Sequence, residues 1–531
     1  MKLRNLKITE FKNLRNFEIN FGSQPFTTVL LGQNGTGKSN LLEALIIIFR
    51  NLDLGDEPEF SYILDYECRG HEIHIEADRT RAKRAEQVKI FVEQNGMQAQ
   101  KISYNSFSKD PQRTYLPSYV FGYYSGPSNR MEKHFDQHQS RFYQDQLKGE
   151  EEPRRPLFYA RSVQSQFALL AFFTEEEQEP QEGRQTARQF LLKTLGIEKL
   201  ISVYFILHEP PWTSKDGDAR FWNARGVLGD FLAHLYDASL APRQRKERVV
   251  SESGSSSNLE HLHCYLKDEQ ALKKLFAHYG NQKAFFKALE STYISRVLGE
   301  VRIRLKRNDA GEPLTFSAMS EGEQQLLMVL GLLRFTKEDE ALFLLDEPDT
   351  HLNPAWSIQY FDFMQQAVGE LPSSHVIMTT HNPLVIAGME REDVRIMQRN
   401  NVHGDIFAEI PRENPRGMGV AGILTSELFG LRSALDLPTQ HLLDEQRVLA
   451  AKEDLTQGEQ VRLGNLTNQL DELGFMMAED DPLYAEFVKR FTAREIPSVR
   501  QQVVLTPQEQ EERKRLVDEI IGELIAEGHW R

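Results

Sequence analysis

A chain of 531 residues can form two or three domains around a large buried core, so it does not need disulfides or structural metals for stability. Lys and Arg total 63 against 78 for Asp and Glu, a formal net charge of −15, which excludes nucleic-acid binding by overall charge and leaves only local contact. The two cysteines, Cys68 and Cys264, exclude a disulfide framework and fit a reducing, cytoplasmic setting; the lack of an apolar signal core or an eighteen-residue apolar run implies no membrane segment.

The opening segments "LRNLKITEF" and "LRNFEINF" alternate like a strand pair, and the apolar strand "FTTVLLG" feeds a glycine-rich loop and a helix from about Lys38 to Phe49. Alternating segments follow at "PEFSYILDYE", "HEIHIEA", "QVKIFVEQNG" and "PSYVFGYYSG", the spacing of a β-meander, expected to pack over a nucleotide base. The text then turns polar and aromatic-rich with helical period, as in "QFALLAFFTEEE", "FLAHLYDASL" and "ALKKLFAHYGNQKAFFKALESTYISRVL", which predict short helices. The patch "SESGSSSN" at Ser251 to Asn258 reads as a solvated loop, and no heptad pattern lasts long enough for an extended coiled coil. Buried-strand text returns at "EALFLLDEPDTHLNP", "SSHVIMTTHNP" and "DVRIMQRN", so one sheet is split in sequence by an insertion. The expected fold is α/β: a P-loop head in two halves, residues 1–125 and 315–411, split by a mainly helical insertion at 126–314. A helical C-terminal module for partner binding occupies 412–531.

Four motifs carry chemistry. Gly32-Gln-Asn34-Gly35-Thr36-Gly37-Lys38-Ser39 fits GxxxxGK[ST] between a predicted strand and a predicted helix, where amides of the loop and the positive helix end cradle phosphates, with Asn40 in the first helical turn. Lys38 is expected to bridge the β- and γ-phosphates of ATP, and Ser39 to ligate Mg2+. Asp346 and Glu347 end the apolar strand of "ALFLLDEP"; Asp346 would hold Mg2+ and Glu347 would polarise the attacking water, although two acids at a strand end also fit a solvated turn. Ser320-Glu-Gly322-Glu323 opens a long apolar helix, either as a phosphate-binding helix start or as a plain capping box. His381 follows the strand "HVIMTT", where a lone histidine is more often structural.

Taken together, GQNGTGKS, SEGEQQ, LLDEPDTHLNP and MTTHNP resemble an ABC-type ATPase head of the SMC/RecF-like group. The resemblance implies that two heads pair, that Ser320, Gly322 and Glu323 of one act on the nucleotide of the other, that Asp349 lies in the interface loop, and that His381 senses the γ-phosphate. It also places Lys12 and Arg15 near the base or α-phosphate, although plain solvated side chains fit equally well. The group's Mg2+-contacting glutamine is missing from Tyr123 to Ser125. Within the group, "FGYYSG", "DEPDTHLNPAW" and "ILTSELFGLRSALD" are similar to the PtuA-like ATPases of Septu and retron anti-phage systems, often labelled restriction-system-associated AAA family ATPases. That likeness implies a homodimer or higher oligomer controlling a PtuB-like HNH nuclease and, in a retron setting, a reverse transcriptase with its RNA–DNA hybrid. A RecF-like repair clamp that grips DNA directly is the main alternative; a transporter subunit and a nuclease acting in cis are the others.

Weaker clusters remain. "HLHC" at His261 to Cys264 could ligate zinc but has no second pair at metal-site spacing, which favours a structural role. "RTRAKR" at Arg79 to Arg84 and the strand "VRIRLKR", with Arg302, Arg304 and Lys306 on one face, could touch phosphates or simply be solvated. "AEDDP" near Asp480 lacks the preceding strand and glutamate of a metal-dependent nuclease.

Overall fold

The computed structural model describes the chain except residues 23–25, 95–97, 149–154, 176–185, 213–216, 251–255, 309–311, 336–339, 369–372, 401–403, 453, 476–481, 496–504 and 528–531. Most of "SESGSSSN" and of "AEDDP" lies outside the described residues. The chain starts with a hairpin of β1 (Lys2–Phe11) and β2 (Leu14–Asn20), in which Leu3, Leu6, Ile8, Leu14, Phe17 and Ile19 are buried. This is the alternation of strands with one face in the core. β3 (Thr27–Leu31) is buried along its whole length and leads into helix α1 (Lys38–Leu54). β4 (Tyr62–Cys68), β5 (His71–Ala77), β6 (Val88–Gln94) and β7 (Gln100–Ile102) complete a six-stranded antiparallel sheet of order β2-β1-β4-β5-β6-β7; it holds the first three segments of the expected meander, but its last strand is β7, and "PSYVFGYYSG" joins the parallel sheet instead.

β8 (Tyr119–Tyr124) and β9 (Leu157–Tyr159) return to the sheet of β3. The insertion then forms helices at Val163–Phe172, Gly226–Ala238, Glu269–Phe276 and Gln282–Ile294, matching the helical text. It also forms a five-stranded antiparallel sheet that the helical reading does not anticipate: β10 (Ile197–His208), β11 (Arg243–Val250), β12 (Ser256–Leu266), β13 (Leu298–Arg307) and β14 (Leu314–Thr315) in the order β11-β12-β10-β13-β14. Val203, Phe205, Leu207, Leu262, Cys264, Leu266, Val301, Ile303 and Leu305 line its buried face. β10 hides its period because its pairing with β13 shifts register at Ile197/Lys199 and Leu200/Ser202, and each shift displaces the apolar alternation.

After helix α2 (Glu321–Phe335), the head is completed by β15 (Ala341–Asp346), helix α3 (Pro354–Val368), β16 (His375–Thr379), β17 (Val394–Arg399) and β18 (Ile406–Glu409). The resulting seven-stranded sheet has the order β18-β17-β3-β16-β15-β8-β9, parallel throughout except for the antiparallel edge pair β17/β18. β3, β15 and β16 are buried at every position, as strands covered on both faces must be. One core joins this sheet to the meander through α1, bringing Leu41, Leu45 and Ile46 together with Leu6, Phe17, Ile75 and Leu344. The carboxyl ends of β3, β8, β15 and β16 therefore share one edge, where open α/β sheets bind ligands.

A second compact unit comprises Met389–Arg391 and Pro411–Arg531. It contains helices at Leu437–Ala450, Gln457–Glu472, Pro482–Arg494 and Pro507–Ala526, with Asp436, Thr456 and Thr506 as side-chain caps. Arg490 and Arg494 pair with Glu523 and Glu527 between the last two helices, and a largely buried Arg432–Asp444 pair ties down the segment before the first. Among the described residues no helix is long and apolar enough to cross a membrane.

Candidate functional site

The loop between β3 and α1 turns on left-handed glycines: φ is 143° at Gly32, 83° at Gly35 and 88° at Gly37. A Cβ on Gly32 would stand 2.3 Å from the Met397 carbonyl oxygen, so the loop also needs glycine there for space. α1 begins with neither a side-chain cap nor an acidic first turn, which leaves its first amides and its positive end for an anion. Asn13, in the β1–β2 turn, braces the loop: its Nδ2 donates to the Gly35 carbonyl at 2.8 Å and its Oδ1 accepts from Asn40 Nδ2 at 2.6 Å. Thr36 Oγ1 donates to the Gln33 carbonyl at 2.8 Å, and Asn34 is exposed on the rim. Lys38 is only 6% exposed; its ammonium donates to the carbonyls of Gly32 (2.7 Å) and Gln33 (3.2 Å). Burial pulls its pKa down to about 8 against the pull of Glu347 and Asp346.

Across the loop, Asp346 closes β15. Its Oδ1 accepts from Thr379 Oγ1 at 2.5 Å, yet its Oδ2 is buried with no hydrogen-bond partner. Burial raises the pKa of Asp346 while Thr379 and Ser39 oppose it. A buried, unsatisfied carboxylate oxygen beside a hydroxyl is a hard-oxygen site, which fits Mg2+. Glu347 takes a left-handed φ of 52°, a conformation that costs a non-glycine residue about 1–3 kcal/mol. Its amide donates to Thr379 Oγ1 at 3.0 Å, and its carboxylate, 40% exposed, lies 3.5 Å from His381 Nε2. Burial, with Lys38 nearby, lowers the pKa of His381 and favours the neutral imidazole. Asp349 is turned inward rather than outward: it accepts from Thr380 Oγ1 at 2.7 Å and burial raises its pKa to about 6.

At the start of α2 the capping box is real. The Ser320 amide and hydroxyl donate to Glu323 Oε2 at 2.8 and 3.0 Å, the Glu323 amide donates to Ser320 Oγ at 3.3 Å, and Arg307 Nη1 donates to Glu323 Oε1 at 2.7 Å. Glu323 is thus committed to holding Ser320 in place. Gly322 is buried, and a Cβ there would stand 2.4 Å from the His351 carbonyl oxygen, so its smallness lets α2 abut the loop after β15. Of the three signature residues only Ser320 is exposed.

Lys12, expected near the base, is paired instead with Glu43 at 2.5 Å, and Arg15 sits exposed 3.5 Å from Glu10. Glu43 is a hub that the motifs do not reveal: Arg130 (2.7 Å) and His134 (3.2 Å) also meet it, and Arg130 continues to Asn40. Burial works against its ionised form, but His134, Lys12 and Arg130 hold its pKa down at about 2. Where the group's glutamine would stand, Ser125 donates its amide to the Asp346 carbonyl at 3.2 Å. A glutamine from another element, Gln325 of α2, reaches Tyr123 OH at 2.9 Å and accepts the His351 amide at 3.2 Å. The charged clusters are largely self-satisfied: Arg81 pairs with Asp78, Arg84 with Glu57, Arg302 with Glu300 and Lys306 with Glu198.

The family model described as "AAA domain, putative AbiEii toxin, Type IV TA system" matches residues 27–387. A curated relative, Septu protein PtuA from Bacillus mycoides (strain KBAB4), is 27% identical over 196 residues, which is 35% of this chain and 27% of that protein. The chain therefore spans about a quarter of the length of that relative. Similar solved structures include the SMC head domain from Thermotoga maritima (13% identity, TM-score 0.31, 78% of this chain and 100% of that one). Another is the SmcHead bound to the C-winged helix domain of ScpA (12%, 0.32, 77% and 98%). The recombination mediator protein RecF with ATP is 15% identical at a TM-score of 0.25, covering 72% of this chain and 92% of that one. At such scores the fold assignment rests on the sheet order and the glycine loop of the chain itself.

Proposed function

From the premise that the chain belongs to the AAA-domain family whose model spans residues 27–387, we propose that it is an ATP switch that hydrolyses ATP to ADP and phosphate. In this reading it controls a separately encoded HNH nuclease of PtuB type in a bacterial anti-phage complex. The observation that carries the nucleotide assignment is the unpartnered, buried Oδ2 of Asp346 beside Ser39 at the mouth of the glycine loop. Lys38 exchanges its two carbonyl partners for β- and γ-phosphate oxygens, while the amides of Gly35, Thr36 and Gly37 enclose the phosphates. Ser39 and Asp346 would hold Mg2+, which neutralises phosphate charge when bound. Glu347, exposed and next to a neutral His381, orients water and takes its proton as the γ-phosphorus to bridging-oxygen bond breaks. Ser320 of a second head faces that γ-phosphate, so ATP closes a homodimer and its loss lets the heads part.

The defence role rests on the likeness to Septu protein PtuA and on a separate C-terminal unit of partner-binding size. A direct DNA clamp of RecF type has one supporting observation, the exposed side chain of Arg304 between Arg302 and Lys306 on β13. Glu347→Gln protein, purified from its native operon, separates the two. Retained ATP, arrested turnover and a co-purifying nuclease in a larger complex are expected for the defence ATPase. An isolated protein that dimerises with ATP and then retains DNA would withdraw that reading in favour of the clamp. Lys38→Ala should abolish nucleotide binding outright, as measured by titration calorimetry.

A further inference from the structure

Among the described residues, one group of side chains has the make-up of a transition-metal site: Glu247, His261 and His263, on the insertion's five-stranded sheet. Alternation along β12 sends Leu262, Cys264 and Leu266 into the core and leaves His261 and His263 together on the outer face. Cys264 is thereby removed from the "HLHC" cluster, and burial pushes its thiol up to about 11. The missing ligand comes from the edge strand. The antiparallel register pairs Arg245 with His261 and Glu247 with Leu259, so Glu247 stands on the same face, one diagonal step from His261.

The geometry is that of ligands around an ion rather than of hydrogen-bonded neighbours. His261 Nδ1 lies 3.2 Å from Glu247 Oε2 and His263 Nε2 lies 3.4 Å from Glu247 Oε1, and one ligand atom from each of the three residues falls within 4.8 Å of the others. Both nitrogens are buried, and neither makes a hydrogen bond. Two donors each about 2.0–2.1 Å from a tetrahedral Zn2+ must stand about 3.3–3.4 Å apart, and the two histidine–Glu247 spacings are close to that. An outer partner is also in place: Tyr204 OH of β10 is 2.8 Å from His263 Nδ1, which orients the ring so that Nε2 faces Glu247. Arg243 and Arg245, the register partners of His263 and His261, are exposed and so screened by water.

We propose that Glu247, His261 and His263 bind a Zn2+ ion that clamps the edge strand β11 to β12, with a solvent molecule as the fourth ligand. The test uses the full chain, stripped with chelator and titrated with Co2+ as a spectroscopic substitute, then with Zn2+ in competition. One Co2+ per chain with the intense visible absorption of four-coordinate cobalt, displaced by one equivalent of Zn2+, is expected. Asp346→Asn should retain that spectrum, because the nucleotide site is elsewhere, and Tyr204→Phe should weaken Zn2+ binding about 10–100-fold. The triple variant E247Q/H261A/H263A should lose it. Only the weak spectrum of six-coordinate cobalt in the wild type, or an unchanged spectrum in a triple variant whose circular dichroism is native, would overturn the proposal. The wild-type spectrum decides the matter even should the triple variant fail to fold.

Discussion

Lys38 is an almost fully buried cation, and its pKa of about 8 sets a pH limit on nucleotide capture. The protonated form binds phosphate. Below pH 8 the free protein already carries that proton; above it, binding must first recover one, so affinity falls by up to about tenfold per pH unit. A lysine at its ordinary value would show no such fall until near pH 10.5. ATP titrations at pH 7, 8 and 9 check this: affinity unchanged through pH 9 would mean that Lys38 is not desolvated in solution. Lys38, Ser39, Asp346, Glu347 and His381 were all legible in the sequence, because each is fixed by its place next to a strand end. Glu43 and Arg130 were not. They stand 87 residues apart, and only the fold joins them.

At the scale of elements, that same pair shows what holds the phosphate loop. Glu43 sits on α1, Lys12 in the β1–β2 turn, and Arg130 and His134 in the segment after β8, so one carboxylate pins three elements around the site. Its folded pKa is depressed, so the stability it contributes is complete above the unfolded value near 4.5 and is lost as pH falls toward about 2. Glu43→Gln should cost about 2–3 kcal/mol at pH 7 and much less at pH 3, read from denaturant midpoints. Gly322 is a second tight contact: alanine there would push into the His351 carbonyl, displace α2 and cost about 1–3 kcal/mol, with ATP binding to the separate head intact. A melting temperature equal to wild type would show that α2 does not abut that loop. The strands of the head were readable because buried parallel strands are continuous apolar runs and the meander alternates cleanly. The insertion's sheet was not, since register shifts break the period of β10 and the charged text of β11 resembles a solvated segment until β12 is beside it. The cluster of Glu247, His261 and His263 was not legible for the same reason, its third member standing on the neighbouring strand β11 rather than within the "HLHC" motif.

The whole molecule raises a question that one chain does not answer by itself: what Ser320 is for. It is exposed at the start of a fifteen-residue helix; of the acids around it, Glu323 is paired with Arg307, and Glu321 Oε2 lies 3.3 Å from His351 Nδ1. A helix end so prepared offers a hydroxyl and a positive dipole to an anion. Its partners within the chain are the capping-box contacts with Glu323, not the phosphate loop. On the proposed reading, the assembly that uses it is a second copy of the chain, with the phosphate supplied by the opposite head. Ser320→Arg tests this at the level of the molecule, since a long cation there blocks close approach while leaving Lys38, Ser39 and Asp346 untouched. Placed on Glu347→Gln protein, it should keep ATP affinity but hold the mass by light scattering at one chain, where Glu347→Gln alone doubles with ATP. Placed on the wild type, it should lower turnover by about a hundredfold or more, the cost of losing donors to the developing charge. An ATP-dependent dimer that forms equally well with arginine at 320 would mean that the heads meet through another face, and Ser320 would then be a cap and nothing more.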